Sequence, residues 1–321
     1  MREVVLLAGG GGHTGYAYAL AQFLYGKCEM EIMVPEGDQL SFNRLKKFGT
    51  IKSLLKARGP ETSLVPFLGG LAKAFFRSSN MVKDKSVVVS TGSNFCIPPC
   101  MLAWKNGSPI INLESSVRFT RASKTVRILY RFAKTTALQW EEQRKFLPKG
   151  QVFGPMLAEP ETQPYDGGYI LVTGGTYGHR SLFQSLDSSD IDNVVLQAGA
   201  LYTPDFARKH PKWKVIDYSA SFHELLAGAE VVVTHFGETI LDSALVYGKP
   251  TVISVNPDWT RTAGSDDAVI LSKKVNAVLL NDFTPEALLE AIEKARRQTP
   301  PKLDNGAELL GKHIVTLAES L

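Results

Sequence analysis

Short apolar runs alternate along the chain with longer stretches of helical patterning. The clearest runs are Val4–Ala8, Glu31–Val34, Val87–Ser90, Ile110–Leu113, Tyr169–Thr173, Asn193–Gln197, Lys214–Ile216, Val231–Thr234 and Thr251–Val255. They are rich in Val, Ile and Leu and lack strict polar alternation. That predicts strands covered on both faces in a parallel sheet. Strands alternating with helices predict an α/β architecture.

The pattern then restarts. Val4–Ala8 runs into Gly9–Gly12, and Ile170–Thr173 runs into Gly174-Gly175-Thr176-Tyr177-Gly178. Each is a strand entering a glycine turn, the opening of a Rossmann-like unit. Between them lies GPMLAEPETQPYDGG, residues 154–168, with three prolines, three glycines and no periodicity. That segment reads as a linker. The expectation is two Rossmann-like domains, 1–155 and 168–300. A C-terminal helix in 301–321 follows Pro300-Pro301 and is expected to pack back on the first domain.

Composition sets bounds on this picture. A chain of 321 residues gives two domains at about 150 residues each. Hydrophobic residues at 44% and charged residues at 21% exclude a disordered or fibrous chain. The three cysteines, Cys28, Cys96 and Cys100, are too few for a disulfide scaffold, and their odd number points to a reducing compartment. The window 86–104 carries no charge before Lys105 but contains Ser90, Thr91, Gly92, Ser93, Asn94, Pro98 and Pro99, which excludes a spanning helix there. The opening MREVVLLAGGGG has too short an apolar run for a signal peptide. A cytoplasmic protein is expected.

The net charge of +4 hides an asymmetry. Residues 1–160 hold 22 Lys+Arg against 11 Asp+Glu, whereas residues 161–321 hold 14 against 21. The basic half should favour an anionic partner: phosphate, anionic lipid or nucleic acid.

Several residues stand where α/β proteins bind ligands. Gly10, Gly11 and Gly12 precede His13 and Thr14 in a turn that lets backbone approach an anion at a helix N-terminus. Gly10, Gly12 and Gly15 also satisfy a dinucleotide fingerprint, with Glu36 placed to hold a ribose, so a nicotinamide enzyme is a rival reading. His13 puts a titratable ring at the mouth of this turn. In the second domain Gly175, Thr176 and Tyr177 form the corresponding turn. His235, Phe236, Gly237, Glu238 and Thr239 follow the strand Val231–Thr234 and open a helix whose N-terminus suits a diphosphate. Asp242, about one turn further, is placed for a ribose. Glu114 ends the strand Ile110–Leu113. Arg118, Arg121, Lys124, Arg127, Arg131 and Lys134 follow it with no acid before Glu141. A second acid-free stretch holds Arg44, Lys46, Lys47, Lys52, Lys56 and Arg58. Between the two lies Leu64–Arg77, with Leu64, Phe67, Leu68, Leu71, Ala72 and Phe75 on one helical face. That stripe is either core or an interfacial membrane helix flanked by Lys73 and Arg77. Asp190-Ile191-Asp192 has the form of a metal motif but precedes its strand, so no metal is assigned to it.

Together these stretches resemble a known arrangement. GGGGHTG, STGSNFCIPPCMLAW and the run LESSVRFTRASKTVRILYRFAKTTALQWEEQRKFLPKGQVFGP are similar to the membrane-docking, acceptor-binding subunit of the eukaryotic UDP-N-acetylglucosamine transferase that adds the second sugar of the dolichol-linked oligosaccharide. ILVTGGTYG and VVVTHFGETILDSALVYGKPTVISVNPDW are similar to its donor-binding partner. Both halves more distantly resemble the bacterial murein glycosyltransferase. Thr234–Asp242 is one residue shorter than the family loop, and Thr260–Asp267 stands where the family carries a polar Asp-Asn-His-Gln stretch. A single fused chain of this kind looks archaeal.

The resemblance implies a GT-B fold, two Rossmann-like domains facing a cleft. It implies inverting transfer of N-acetylglucosamine from UDP to a lipid-diphosphate-linked sugar with a β1-4 linkage, in N-glycan precursor assembly. His13 or Glu114 would be the catalytic base. Gly10, Gly11, Gly12, Thr14, Ser93, Asn94 and Arg118 would bind acceptor and diphosphate. Gly175, Thr176, Tyr177, His235–Thr239 and Asp242 would bind the donor. No metal or cofactor is expected, and the partners are UDP-N-acetylglucosamine, the lipid-linked sugar and an anionic membrane surface, at the cytoplasmic face. The remaining rival is a nucleic-acid-binding module resting on the basic half. Few aromatics interleave its charges, so no nucleic acid is expected.

Overall fold

A computed structural model describes residues 2–55, 86–258 and 263–321. The chain forms two units, Met1–Ala158 with Asp304–Leu321, and Glu159–Leu303.

The first unit is built on seven parallel strands: β1 (Glu3–Leu7), β2 (Glu29–Pro35), β3 (Thr50–Leu54), β4 (Val87–Ser90), β5 (Ile110–Leu113), β6 (Thr135–Leu138) and β7 (Gln151–Val152). Their order in the sheet is β3-β2-β1-β4-β5-β6-β7. Val4 and Leu6 face a core layer with Tyr16, Leu20 and Leu24 of the helix Gly12–Leu24. Val5 and Leu7 face the opposite layer with Phe95, Cys96, Cys100 and Leu129. Burial on both faces explains why β1 shows no alternation. All three cysteines are buried free thiols.

The second unit repeats the plan with β8 (Tyr169–Thr173), β9 (Val194–Gln197), β10 (Lys214–Ile216), β11 (Ala229–His235), β12 (Thr251–Ser254) and β13 (Val278–Leu280). The order is β10-β9-β8-β11-β12-β13. Strand order reverses between β1 and β4 in one unit and between β8 and β11 in the other. Beyond the carboxyl ends of such strand pairs lies the ligand crevice of α/β sheets.

The C-terminal helix Gly306–Glu319 lies on the first unit, with Ala307, Leu310 and Ile314 in the same core layer as Leu20. Gly306 donates its N–H to the Pro155 carbonyl at 2.9 Å, and a Cβ there would fall 2.1 Å from the Gly154 carbonyl oxygen. Only glycine permits that approach.

Nine strands are expected from the apolar runs and thirteen are observed among the described residues. β3 and β7 escape the pattern because they lie at sheet edges, where one or two apolar residues suffice, and β13, also at an edge, is only three residues long. β6, Thr-Thr-Ala-Leu, is internal but short and rich in threonine. The Leu64–Arg77 stripe lies outside the described residues, as do residues 259–262. No described helix is long and apolar enough to cross a membrane.

Candidate functional site

In the first unit, β1 ends in a turn with Gly10 at φ +84° and Gly11 at φ +58°. The helix begins at Gly12, so Gly11 and Gly12 stand exposed at its N-terminus. This turn packs on the loop after β4: a Cβ on Gly9 would lie 2.6 Å from Ser93 Cβ. His13 bridges the two loops, with Nδ1 2.7 Å from the Thr91 carbonyl oxygen. A carbonyl only accepts, so Nδ1 carries the proton and, in the neutral ring, Nε2 carries the lone pair. Thr91 is itself fixed by its hydroxyl donating to Leu7 O at 2.6 Å. Ser93 takes φ +71° and ψ 149°, a strained conformation for a residue with a side chain, and its hydroxyl accepts from Phe95 N. Next to it, Asn94 has a buried Oδ1 with no hydrogen-bond partner among the described residues. Structure thus gathers Gly10–Gly12, His13, Ser93 and Asn94 around one strand-order reversal.

Thr14 does not join them. It is buried, and its hydroxyl meets Ser41 Oγ at 2.6 Å, which in turn donates to Asp38. It ties the helix Gln39–Leu45 to the helix Gly12–Leu24 and is a packing residue rather than a diphosphate contact.

Glu114 also takes a place the sequence does not suggest. It is 0% exposed, and its two carboxylate oxygens accept from Ser115 N at 2.7 Å and Ser123 N at 2.9 Å. Burial pushes its pKa up, against the opposing pull of those hydrogen bonds and of the Arg118 charge. A carboxylate enclosed in this way closes the loop 115–123 and does not present itself to an acceptor hydroxyl. This corrects the expectation of Glu114 as a base.

The loop is held from its other side as well. Trp140 Nε1 donates to Ser116 O at 2.7 Å, and Gln139 Nε2 donates to Glu114 O at 2.8 Å. Gln143 Nε2 donates to both Ser115 O and Arg118 O. Tyr16, one turn after His13, accepts from Ser116 N at 2.8 Å through its hydroxyl. Arg118 itself is half-buried on this loop. Sequence reasoning misses Tyr16, Gln139, Trp140 and Gln143. The available signal for the last three is the polar run Gln139–Gln143 at the carboxyl end of β6.

In the second unit, the turn after β8 is folded tightly on itself. A Cβ on Gly174 would meet Gly178 C at 2.4 Å, and one on Gly199 would meet Gly175 O at 2.4 Å. Thr176 and Tyr177 project outward as exposed residues. His235, at the end of β11, lies between this turn and its own: Cβ atoms on Gly175 and Gly237 would stand 2.5 Å and 2.8 Å from its ring. Burial, and secondarily the neighbouring His179, lower its pKa to about 4, so the ring is neutral at physiological pH. Its Nδ1 is buried with no hydrogen-bond partner among the described residues. Phe236, Gly237, Glu238 and Thr239 follow, half-buried. The expected regular helix is observed as one α turn, Thr239–Leu241, followed by π-winding over Asp242–Val246. Such windings recur at functional sites. Asp242 opens the π segment.

His179 is a residue the sequence does not announce. Its Nδ1 accepts from Leu182 N and caps the helix Arg180–Asp187, while Nε2 donates to Ser254 Oγ at 2.8 Å. Burial lowers its pKa to about 4. Asn256 Nδ2 adds a tie to Gly178 O at 3.3 Å. The loops after β8 and β12 are thereby pinned together. Asp192 pairs with Lys212 at 2.7 Å, and the described residues contain no group of three or more His, Cys, Asp or Glu side chains able to hold a metal.

Residues 4–156 match the family model described as oligosaccharide biosynthesis protein Alg14 like. Residues 169–317 match that of the glycosyltransferase family 28 C-terminal domain. The UDP-N-acetylglucosamine–N-acetylmuramyl-(pentapeptide) pyrophosphoryl-undecaprenol N-acetylglucosamine transferase of Salinibacter ruber is 26% identical, over 98% of this chain and 97% of its own. The Porphyromonas gingivalis protein of the same name is 24% identical, over 99% and 92%. Among solved structures, MurG of Acinetobacter baumannii matches with a TM-score of 0.66 at 18% identity, with both chains fully covered. The calicheamicin glycosyltransferase CalG4 matches with a TM-score of 0.60 at 16% identity, over 100% of this chain and 94% of its own. The fold is GT-B, with two parallel-sheet α/β domains. A UDP-N-acetylglucosamine 2-epimerase from Rickettsia bellii shares that fold too, with a TM-score of 0.68 at 12% identity, over 100% and 96%. Fold alone therefore does not choose the reaction. Similarity of residues 169–317 to the family 28 model, together with the transferases named above, supports that choice, and the chain is a glycosyltransferase.

Proposed function

We propose that this enzyme moves N-acetylglucosamine from UDP-N-acetylglucosamine to a lipid-diphosphate-linked sugar, with inversion and a β1-4 linkage, in N-glycan precursor assembly. The observation that carries the acceptor assignment is the match of residues 4–156, the half that would bind the acceptor, to the Alg14-like model. The names of the Salinibacter and Porphyromonas relatives support a second acceptor, an N-acetylmuramyl-pentapeptide on undecaprenyl diphosphate. A panel of sugar nucleotides offered with two synthetic acceptors separates these. Transfer from UDP-N-acetylglucosamine to prenyl-diphosphoryl N-acetylglucosamine is the expected result. Transfer only to the muramyl-pentapeptide carrier would move the acceptor to that of the named relatives. No transfer to either would overturn the reading.

In this reading the first unit holds the acceptor. Its diphosphate meets the exposed N–H groups at Gly11 and Gly12 and the Arg118 charge. His13 Nε2 takes the proton as the acceptor oxygen bonds to the anomeric carbon and the bond from that carbon to UDP breaks. Thr91, by holding Nδ1–H, keeps the lone pair on Nε2. The second unit binds the donor through Gly175–Tyr177, His235–Thr239 and Asp242, with Asp242 on the ribose. Charge growing on UDP is met by backbone N–H groups of those turns and needs no metal.

Attachment to the membrane is peripheral, at the cytoplasmic face. Support comes from the absence of a spanning helix among the described residues and from one surface patch. Trp104 is 53% exposed and Ile128 47% exposed, on packed helices that also carry Lys105, Lys124 and Arg127. Each basic residue near an anionic leaflet adds about 1 kcal/mol. The Leu64–Phe76 stripe belongs to the same proposal.

A further inference from the structure

The loop from Glu114 to Ser123 has four of its first five carbonyls taken by three side chains just beyond β6. Gln139 holds the carbonyl of Glu114, Gln143 those of Ser115 and Arg118, and Trp140 that of Ser116. Gln143 is fully buried. Its Nε2 spends both protons on the two carbonyls, at 2.8 and 2.9 Å. Its Oε1 accepts from Gln139 N at 2.8 Å and Trp140 N at 3.4 Å. Its hydrogen-bonding capacity is therefore fully used, and the short helical turn Glu141–Lys145 that carries it is locked to the loop.

Carbonyl oxygens repel an anion, whereas N–H groups and guanidinium attract it. A surface loop ordinarily turns some carbonyls toward its ligand. Here they are drawn toward residues 139–143, and Tyr16, next to His13's turn, is bonded to the Ser116 N–H. Arg118 lies within electrostatic reach of Glu114 on the same loop.

We propose that Gln143, assisted by Trp140, is a positioning residue for acceptor recognition: by holding the Ser115, Ser116 and Arg118 carbonyls it fixes the loop from which the Arg118 guanidinium meets the acceptor's diphosphate. The inference rests on the reading that the first unit binds a lipid diphosphate.

The test is binding, measured apart from turnover. The probe is short-chain prenyl-diphosphoryl N-acetylglucosamine in calorimetry, with the octyl glycoside of N-acetylglucosamine as the diphosphate-free control and UDP as the donor-side control. Gln143→Glu keeps the shape but turns a carboxylate toward two carbonyls. At pH 8 it should weaken the diphosphate probe at least tenfold and leave UDP binding unchanged. As pH falls the new carboxyl protonates and regains one donor, so the loss of affinity relative to wild type at the same pH should shrink. Trp140→Phe, which removes the indole N–H and leaves a smaller aromatic ring against Phe119, should weaken the same probe about two- to fivefold. Together the two variants keep the test open if the first fails to fold. Wild-type affinity for the diphosphate probe in folded Gln143→Glu at pH 8, or in folded Trp140→Phe, overturns the proposal. Equal loss for the glycoside or UDP also overturns it, because that is general loosening. Wild-type protein that binds the probe but transfers no sugar would sink the proposed reaction and leave this inference standing. Wild-type protein that does not bind it would sink both.

Discussion

The imidazole of His13 rests on the bare α-carbon of Gly92: a methyl group there would stand 2.8 Å from Cε1 and 3.0 Å from Nδ1. Gly92 also takes φ +97°, where an L side chain is strained. The second unit repeats the device with His235 over Gly175. In each unit an imidazole sits where strand order reverses, seated on a glycine of the adjoining loop.

Gly92→Ala should therefore displace His13 without removing it. The expected result is a folded protein whose kcat falls at least tenfold, measured by sugar transfer at saturating substrates. His13→Ala should lower kcat by about 10²–10⁴-fold with acceptor KM little changed, the size of a lost general base. A loss confined to acceptor KM would instead make His13 a diphosphate contact, since a ring protonated by that diphosphate cannot serve as base.

Acid should weaken the fold through two histidines of the second unit, His179, which is buried, and His235, which is half-buried. His179 and His235 have pKa values lowered to about 4, while an unfolded histidine titrates near 6.5. A lowered folded value means that the unfolded chain takes the proton first. Stability is then full above about pH 6.5 and is lost as pH falls toward 4, by up to about 3 kcal/mol for each ring, less for a coupled pair. His179→Asn keeps an N-cap acceptor and removes one titrating ring. Thermal unfolding of that variant should lose less of its midpoint between pH 7 and pH 4.5 than wild type does. An equal loss would refute the assignment.

Much of this architecture is legible in the residues themselves. Two strand-to-glycine-turn openings mark two Rossmann-like sheets because a helix N-terminus packed hard against a strand end leaves no room for Cβ atoms. Gly174 against Gly178 and Gly9 against Ser93 show that crowding. What the residues do not show is which polar groups face inward. Glu114 and Arg118 both follow a buried strand, and only the positions of Ser115 N and Ser123 N reveal that the carboxylate is consumed by its own loop. Gln143 and His179 are opaque for the same reason: their partners, the Arg118 carbonyl and the Ser254 hydroxyl, are distant in sequence.

Glu114→Gln separates the structural carboxylate from a catalytic one. The amide offers one acceptor where two N–H groups need one each, so thermal stability should fall at all pH values. Because burial raises the folded pKa of Glu114, its ionisation on folding is disfavoured. Its contribution is present below the unfolded carboxyl value near 4.3 and is lost as pH rises through the folded value. The stability gap between wild type and variant should therefore narrow as pH rises. The acid limb of the kcat profile should stay in place, and its disappearance in Glu114→Gln would restore Glu114 as the base.

Donor binding is predicted to depend on the two glycine turns of the second unit and on no metal. Gly175→Ala places a Cβ 2.5 Å from His235 Cε1 at φ +71°, which costs about 1–2 kcal/mol in backbone strain alone and displaces the ring. Asp242→Asn keeps the shape at the start of the π segment and removes the charge offered to a ribose. Both variants should raise KM for UDP-N-acetylglucosamine about tenfold or more and leave acceptor KM unchanged. Asp192, which would be called on for a metal, is spoken for by Lys212. Turnover should accordingly continue in EDTA at its rate in untreated buffer. Activity abolished by EDTA and restored by Mg²⁺ would overturn the metal-free assignment and return Asp190 and Asp192 to the site, because neutralisation of the departing diphosphate would then belong to a cation rather than to backbone N–H groups.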